Sequence, residues 1–238
     1  VTVNHAYGLF GSYTATLRVT DDNTPAKTAT TTRVVAVNQG NQAPVANPGG
    51  PYIADMGTGL VLDGSASSDP NAACGDSIVS YAWDLNNDGV FNDATGSMPA
   101  LTAAQINALG LGTFPVALTV TDTFGATDTA STTLMIVINQ PYASFTANPN
   151  PAAPTQAITF DASGSYQGSP LHSIVSYEWD LDNDGQFDDA TGVTVNHVYG
   201  QFGSYTVTLR VTDNNVPAKT AMAAAVVAVN QGNQAPVA

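Results

Sequence analysis

The stretch Gly-Ser-Tyr-Thr-Val-Thr-Leu-Arg-Val-Thr-Asp (203–213) places Tyr205, Val207, Leu209 and Val211 on one side and Thr206, Thr208 and Arg210 on the other. A period of two marks a β-strand with one face buried. The stretches TATLRVTD (14–21) and ALTVTD (117–122) read the same way, and all three close on Val-Thr-Asp, at Asp21, Asp122 and Asp213. Gly, Pro, Asn and Asp clusters separate these runs, as turn residues do. Short strands at this density over about 95 residues predict an all-β fold of two packed sheets.

Working outward, the chain repeats itself. Residues 1–46 and 193–238 are identical at 37 of 46 positions, at an offset of 192 residues. A second period lies inside the first. SIVSYAWDLNNDGVFNDATG (77–96) recurs as SIVSYEWDLDNDGQFDDATG (173–192), and LDGSAS (62–67) as FDASGS (160–165). The unit is therefore 91 to 101 residues long, and two units make the longer period. The predicted boundaries are the back half of one unit at 1–41, a full unit at 42–140, another at 141–232, and a linker at 233–238 that enters a fourth. One segment departs from the strand pattern: LTAAQINALG (101–110) has Thr102 as an N-cap and Gly110 as a stop. This predicts a short helix near 102–109 inserted in the middle unit alone, where Trp83 to Asp122 spans 39 residues against 34 from Trp179 to Asp213.

Three motifs recur in order in the second and third units. The middle unit reads GGPYIADMGTGLVLDGSASSDP (49–70), IVSYAWDLNNDG (78–89) and GTFPVALTVTD (112–122). The third carries YEWDLDNDG (177–185) and GSYTVTLRVTD (203–213), with DASGSYQGSP (161–170) in place of the Asp-Pro turn. The set resembles the polycystic-kidney-disease (PKD) domain across essentially the whole chain. The resemblance implies tandem immunoglobulin-like β-sandwiches that act as spacers, adhesion modules or accessory domains of secreted proteins, that lack catalytic residues of their own, and that in some cases bind calcium near their turns.

Composition narrows the function. Nineteen acids against five bases give a net charge of −14. Such a balance argues against nucleic-acid binding, which rests on Lys and Arg meeting phosphates, and against anionic membrane surfaces. No apolar run reaches the roughly 20 residues of a membrane span. With one cysteine, Cys74, no disulfide forms within the chain, and the thiol is either free or a link between chains. The absence of an initiator Met and of a signal peptide predicts an internal or processed piece of a longer protein.

Chemistry is expected in the loops. DLDNDGQFD places Asp180, Asp182, Asp184 and Asp188 at positions 1, 3, 5 and 9, with Gly185 at position 6. That is the front of an EF-hand-type calcium loop, in which alternate residues of a tight turn converge on a hard cation that takes six to eight oxygens. The middle unit offers Asp84, Asn86, Asp88 and Asn92 around Gly89, with fewer charges. Thr95 and Thr191 stand where an EF-hand has Glu. The same residues also suit a solvated turn, because Asp and Asn tolerate turn geometry. A second candidate is the end of the middle sandwich, where Asp63, Ser65, Asp69 and Asp122 either share a cation or cap their own turns. Trp83 and Trp179 read as core; His5, His172 and His197 read as turn or surface residues; and no G-x-S-x-G, H-E-x-x-H or phosphate loop is present.

The expected function is non-catalytic: an extracellular or cell-surface rod or fibre, calcium-stabilised, with roughly 30 Å of length per unit. Other copies or adjacent repeats are expected to complete residues 1–41. The alternative is a carbohydrate- or protein-binding accessory module of a secreted hydrolase, which requires exposed aromatics aligned on a sheet face.

Overall fold

The structure is a computed structural model that describes residues 1–9, 11–37 and 40–230; the expected linker at 233–238 lies outside them. The chain divides into two compact parts, the first ending at Ile136 and the second starting at Val137. The last strand of the middle unit ends at Val137, three residues before the expected boundary at 140.

Strands β1 (Gly11–Thr20) and β2 (Thr28–Val37) form an antiparallel hairpin with Tyr13 opposite Val35 and Leu17 opposite Thr31. The middle unit follows with β3 (Tyr52–Asp55), β4 (Leu60–Val61), β5 (Ile78–Asp84), β6 (Ala94–Thr95), β7 (Ala100–Leu101), helix α1 (Ala103–Leu109), β8 (Gly112–Asp122) and β9 (Thr127–Val137). One sheet runs β3-β9-β8-β5-β6, and β4 pairs with β7 across from it. Leu62, Trp83, Ile106, Val116, Leu118, Val120 and Leu134 fill the space between, all fully buried.

The third unit comprises β10 (Pro141–Tyr142), β11 (Thr146–Asn148), β12 (Ala157–Asp161), β13 (Tyr166–Gln167), β14 (Ile174–Asp180), β15 (Ala190–Thr191), β16 (Thr194–Val198), β17 (Gly203–Asp213) and β18 (Thr220–Val229). Its sheets are β15-β14-β17-β18 and β11-β12-β16, with β10 paired to β13. Phe160, Trp179, Val207, Leu209, Val211 and Val227 close the core, and the Phe145 ring meets Trp179 edge-on at 5.1 Å. Each tryptophan is fully buried yet satisfied, because its indole N–H donates to a glycine carbonyl: Trp83 to Gly96 at 2.9 Å and Trp179 to Gly192 at 3.0 Å. The all-β, immunoglobulin-like sandwich expected from the alternation is what the chain forms.

The helix forms where expected. Thr102 accepts the Gln105 N–H at 3.3 Å, and the Gln105 side chain accepts the Thr102 N–H at 3.0 Å; this reciprocal capping box satisfies two end groups that lack helical partners. Ile106 drops into the core. Where the third unit runs β16 along β12, the middle unit has the short β7 and then α1. β7 keeps the place of β16, with Leu60 opposite Leu101 as Ile158 is opposite His197, so the helix is an added segment between that strand and β8, as the sequence predicts.

The hairpin of residues 11–37 supplies an internal comparison. Its register matches β17–β18 residue for residue, with Tyr205 opposite Val227 and Leu209 opposite Ala223. Leu209 and Val211 are 0% exposed, but their counterparts Leu17 and Val19 are 60% and 54% exposed. What covers the face in the third unit is the front half, β11, β12 and β16. Among the described residues, no such layer lies over the same apolar face of 11–37.

Gly64 sits where the third unit has the fully buried Ala162. A Cβ at Gly64 would stand 2.8 Å from Leu118 Cδ2 and 3.0 Å from Trp83 Cζ2. Gly64→Ala is therefore expected to destabilise the middle unit by about 1–3 kcal/mol through overpacking, read as a lower urea midpoint; an unchanged midpoint would mean that Leu118 repacks at no cost.

Candidate metal sites at the loops and poles of the units

The loop after each tryptophan is ordered by its own carboxylates. Asp180 Oδ1 accepts the Asn183 N–H at 2.6 Å and Oδ2 accepts the Gly185 N–H at 3.1 Å. Asp182 accepts from Asp184 N–H, and Asp184 from Gln186 N–H. Asn183 takes a φ of 64°, a left-handed conformation that Asn tolerates. The middle unit repeats the pattern: Asp84 accepts from Asn87 and Gly89, Asn86 from Asp88, and Asp88 from Val90.

Of the residues predicted as ligands, Asp180 and Asp182 come together with Asp189, their carboxylate oxygens within 4.8 Å of one another. Asp184 and Asp188 are not in that group. Asp189, at position 10, takes a place that the EF-hand spacing did not assign. It also accepts the Leu181 N–H at 2.6 Å and the Asp182 N–H at 3.2 Å. Its counterpart Asp93 does the same for Leu85 and Asn86. Asp84, Asn86 and Asp88 line the equivalent turn, and Asn92 follows it, its N–H donating to the Val90 carbonyl. Beside the third unit's loop, Arg210 pairs with Glu178 at 2.9 Å and lies 4.3 Å over the Phe187 ring.

The second cluster is at the end, or pole, of the middle unit that receives residues 40–42. Asp69, Asp76 and Asp122 bring their carboxylates within 4.8 Å of one another. Asp122 is 1% exposed and Asp76 4%. Each spends one oxygen on the backbone: Asp69 Oδ1 accepts the Asn71 N–H at 2.6 Å, Asp76 Oδ1 the Ser77 N–H at 2.8 Å, and Asp122 Oδ1 the Ala126 N–H at 2.8 Å. Asp69 Oδ2 and Asp76 Oδ2 are buried with no hydrogen-bond partner. Buried, unpartnered carboxylate oxygens are costly unless a proton or a cation meets them. The pole also holds the incoming chain: Asn41 donates to Asp122 Oδ2 at 2.9 Å, and Asn71 accepts the Gln42 N–H at 2.9 Å and donates to the Gly40 carbonyl at 3.3 Å.

Sequence spacing had grouped Asp63 and Ser65 with Asp69 and Asp122. The structure separates them: Asp63 Oδ1 instead accepts the Ser65 hydroxyl at 2.5 Å and its N–H at 3.0 Å. Asp76 was missed. The available signal was its position one residue before the repeated Ser-Ile-Val, where the third unit carries His172.

Matches to known families bear on what these units are. Residues 138–228 match the family model of the PKD domain, and residues 53–136 match that of the K319L-like PKD domain. The chain belongs to the PKD-domain family. The chain is 32% identical over 192 residues to the dyslexia-associated protein KIAA0319 of Homo sapiens, covering 76% of this chain and 17% of that protein. With its Mus musculus homolog the identity is 31% over 240 residues, 96% of this chain and 21% of the relative. The chain thus spans about a fifth of the length of the curated relatives it matches. Among solved structures, the PKD1 domain of Vibrio anguillarum Epp is 26% identical, with a TM-score of 0.30 and coverage of 38% of this chain and 95% of that one.

The strand-end Asp of each PKD unit is the fixed point of its pole. Burial works to raise the carboxyls of Asp122 and Asp213, but hydrogen bonds outweigh it, from Asn41 and the Ala126 N–H in one case and from the Lys219 N–H and Asn215 in the other, so both sit below the ordinary carboxylate range. A carboxyl lowered on folding adds stability above its unfolded pKa of about 3.9, and that stability is lost as pH falls through the folded value. Unfolding midpoints of the PKD units are therefore expected to be flat near neutrality and to drop below about pH 4. Asp213→Asn should reduce that acid-side slope for the third unit; an unchanged slope would show that other groups carry it.

Proposed function

We propose that this chain is a non-catalytic structural stretch of an extracellular, cell-surface repeat protein, built as a rod or fibre of PKD units and stabilised by calcium. The observation that carries the calcium reading is the pair of buried, unpartnered oxygens, Asp69 Oδ2 and Asp76 Oδ2, on two of three aspartates whose carboxylates converge with that of Asp122 within 4.8 Å. Hard carboxylate oxygens without nitrogen or sulfur ligands favour calcium or magnesium over transition metals. The group at Asp180, Asp182 and Asp189 is the second site, although its oxygens already serve the loop's own N–H groups.

Repetition supports the structural role. The positions that recur between units are core and turn residues: the two tryptophans, the alternating strand face and the strand-end aspartates. Among the described residues, no recurring set of polar groups outside the acidic loops and poles marks an active site in each unit. The uncovered face of residues 11–37, with Leu17 and Val19, fits the front half of a preceding unit or another copy, and this extends the array. The competing reading, a glycan- or protein-binding accessory module, draws on the exposed, tilted Tyr142–Tyr166 pair at 5.0 Å; two rings at one sheet edge are a small platform beside the aligned strip that reading requires.

A site of about 10 µM affinity in millimolar calcium adds roughly 2.7 kcal/mol, enough for a rise of several degrees in the melting temperature of a unit this size. The whole chain is expected to melt several degrees higher in millimolar calcium than in chelator, and Asp76→Asn, which keeps the Oδ1 acceptor for Ser77, should remove most of the rise. No calcium effect on the unsubstituted chain would overturn the calcium reading and leave the loops and poles as capped turns.

A further inference from the structure

The pole of the third unit is built on the same backbone as that of the middle unit but with different charges. The backbone correspondence is set by shared hydrogen bonds: Asp122 N–H to Ala126 O matches Asp213 N–H to Lys219 O, and Thr123 N–H to Ser77 O matches Asn214 N–H to Ser173 O. Read through it, Asp76 becomes His172 and Ala126 becomes Lys219, and counting on from LDGSAS (62–67) and FDASGS (160–165), Asp69 becomes Gln167. Three carboxylates in one unit are replaced by one carboxylate, an amide, an imidazole and an ammonium group in the other.

The hydrogen bonds follow the substitutions. Gln167 Nε2 donates to Asp213 Oδ2 at 2.7 Å, and Asn215 Nδ2 donates to the same oxygen at 2.6 Å. Asp213 Oδ1 accepts the Lys219 N–H at 2.8 Å and the Asn215 N–H at 3.1 Å. Both oxygens of this buried carboxylate are therefore saturated, where the middle pole leaves Asp69 Oδ2 and Asp76 Oδ2 open. The incoming chain is held as well: Lys219 Nζ donates to the Asn139 carbonyl at 2.6 Å, and Asn139 exchanges amide hydrogen bonds with Asn215 at 2.8 Å.

We infer that calcium dependence alternates along the array: the pole of the middle type takes a divalent cation, whereas in the third type Lys219 and Gln167 supply from within the chain the positive charge and donors that the cation supplies in the other. This rests on the proposed calcium reading of the middle pole. The first unit agrees with the alternation. Lys27 lies 192 residues before Lys219, so the first unit carries the same lysine at this turn where the middle unit has Ala126; the backbone bond to the strand-end Asp is common to all three. A chain with a 192-residue period thus carries lysine-closed and cation-closed poles in turn. Chelation would loosen every second pole and leave those between intact.

Hydrogen exchange read by mass spectrometry on the whole chain, in millimolar calcium and in chelator, tests this. Calcium is expected to slow amide exchange at least tenfold around 40–42, 69–77 and 122–126, with no change around 138–140, 167–173 and 213–219. Slowing at both poles overturns the alternation. Slowing confined to 84–93 or 180–189 overturns it too, placing the ion in the loops. No slowing anywhere sinks the calcium reading itself, and a metal-free arm separates the two failures: Lys219→Met should speed exchange at 138–140 in chelator, and unchanged exchange there would remove the role assigned to the lysine. The triple variant Gln167→Asp, His172→Asp, Lys219→Met should gain calcium protection at the third pole, and a folded but calcium-blind triple variant overturns the inference. Should that variant not fold, Asp69→Gln with Asp76→His must abolish protection at the middle pole, and its persistence is the overturning result.

Discussion

A buried tryptophan clamped between two sheets, its indole N–H tied to a glycine carbonyl, is the contact on which each unit depends. Trp83 and Trp179 lie on the strand that pairs with the long Val-Thr-Asp strand, so burying the ring fixes the register of both. The bond to Gly96 or Gly192 brings the chain back after the acidic loop and places Asp93 and Asp189 on the N–H groups that open it. The loop's shape is thus a consequence of the core contact and of carboxylates satisfying their own backbone.

The opposite end of the same strand defines the pole. Its last residue, Asp122 or Asp213, is buried where alternation would leave a strand end, and it collects N–H donors from the turn that follows and from side chains on the linker or on a neighbouring loop. A buried carboxylate must be met by donors, protons or cations, and the two described poles meet that demand differently. The third unit brings Gln167, Asn215 and Lys219. The middle unit brings two more carboxylates, a combination that calls for a positive charge from outside the chain. One backbone frame therefore supports two electrostatic solutions, and the difference lies in three residues.

Much of this was legible in the sequence. Alternation in 203–213, its recurrence at two periods and the Thr102–Gly110 punctuation gave the strands, the units and the helix, because strand and helix periodicity are local properties of side-chain order. The acidic loops were also visible, since their ligand-like spacing lies within nine consecutive residues. The pole was only half visible. Asp69 and Asp122 stand 53 residues apart in sequence, and Asp76 looked like an ordinary loop residue, so nothing local showed that the three converge.

By itself, then, the sequence determined the all-β repeat, the size of its unit, the identity of its core strands and the acidic character of its turns, all of which follow from short-range pattern and from self-comparison. Only the tertiary structure decided that Ile106 of α1 drops into the core, that Asp189 and not Asp184 or Asp188 joins Asp180 and Asp182, and that Asp76 completes the pole with two oxygens left unmet. Those outcomes turn on which side chains sheet pairing and loop closure bring within a few ångströms of one another, and on which of their oxygens the backbone has already claimed.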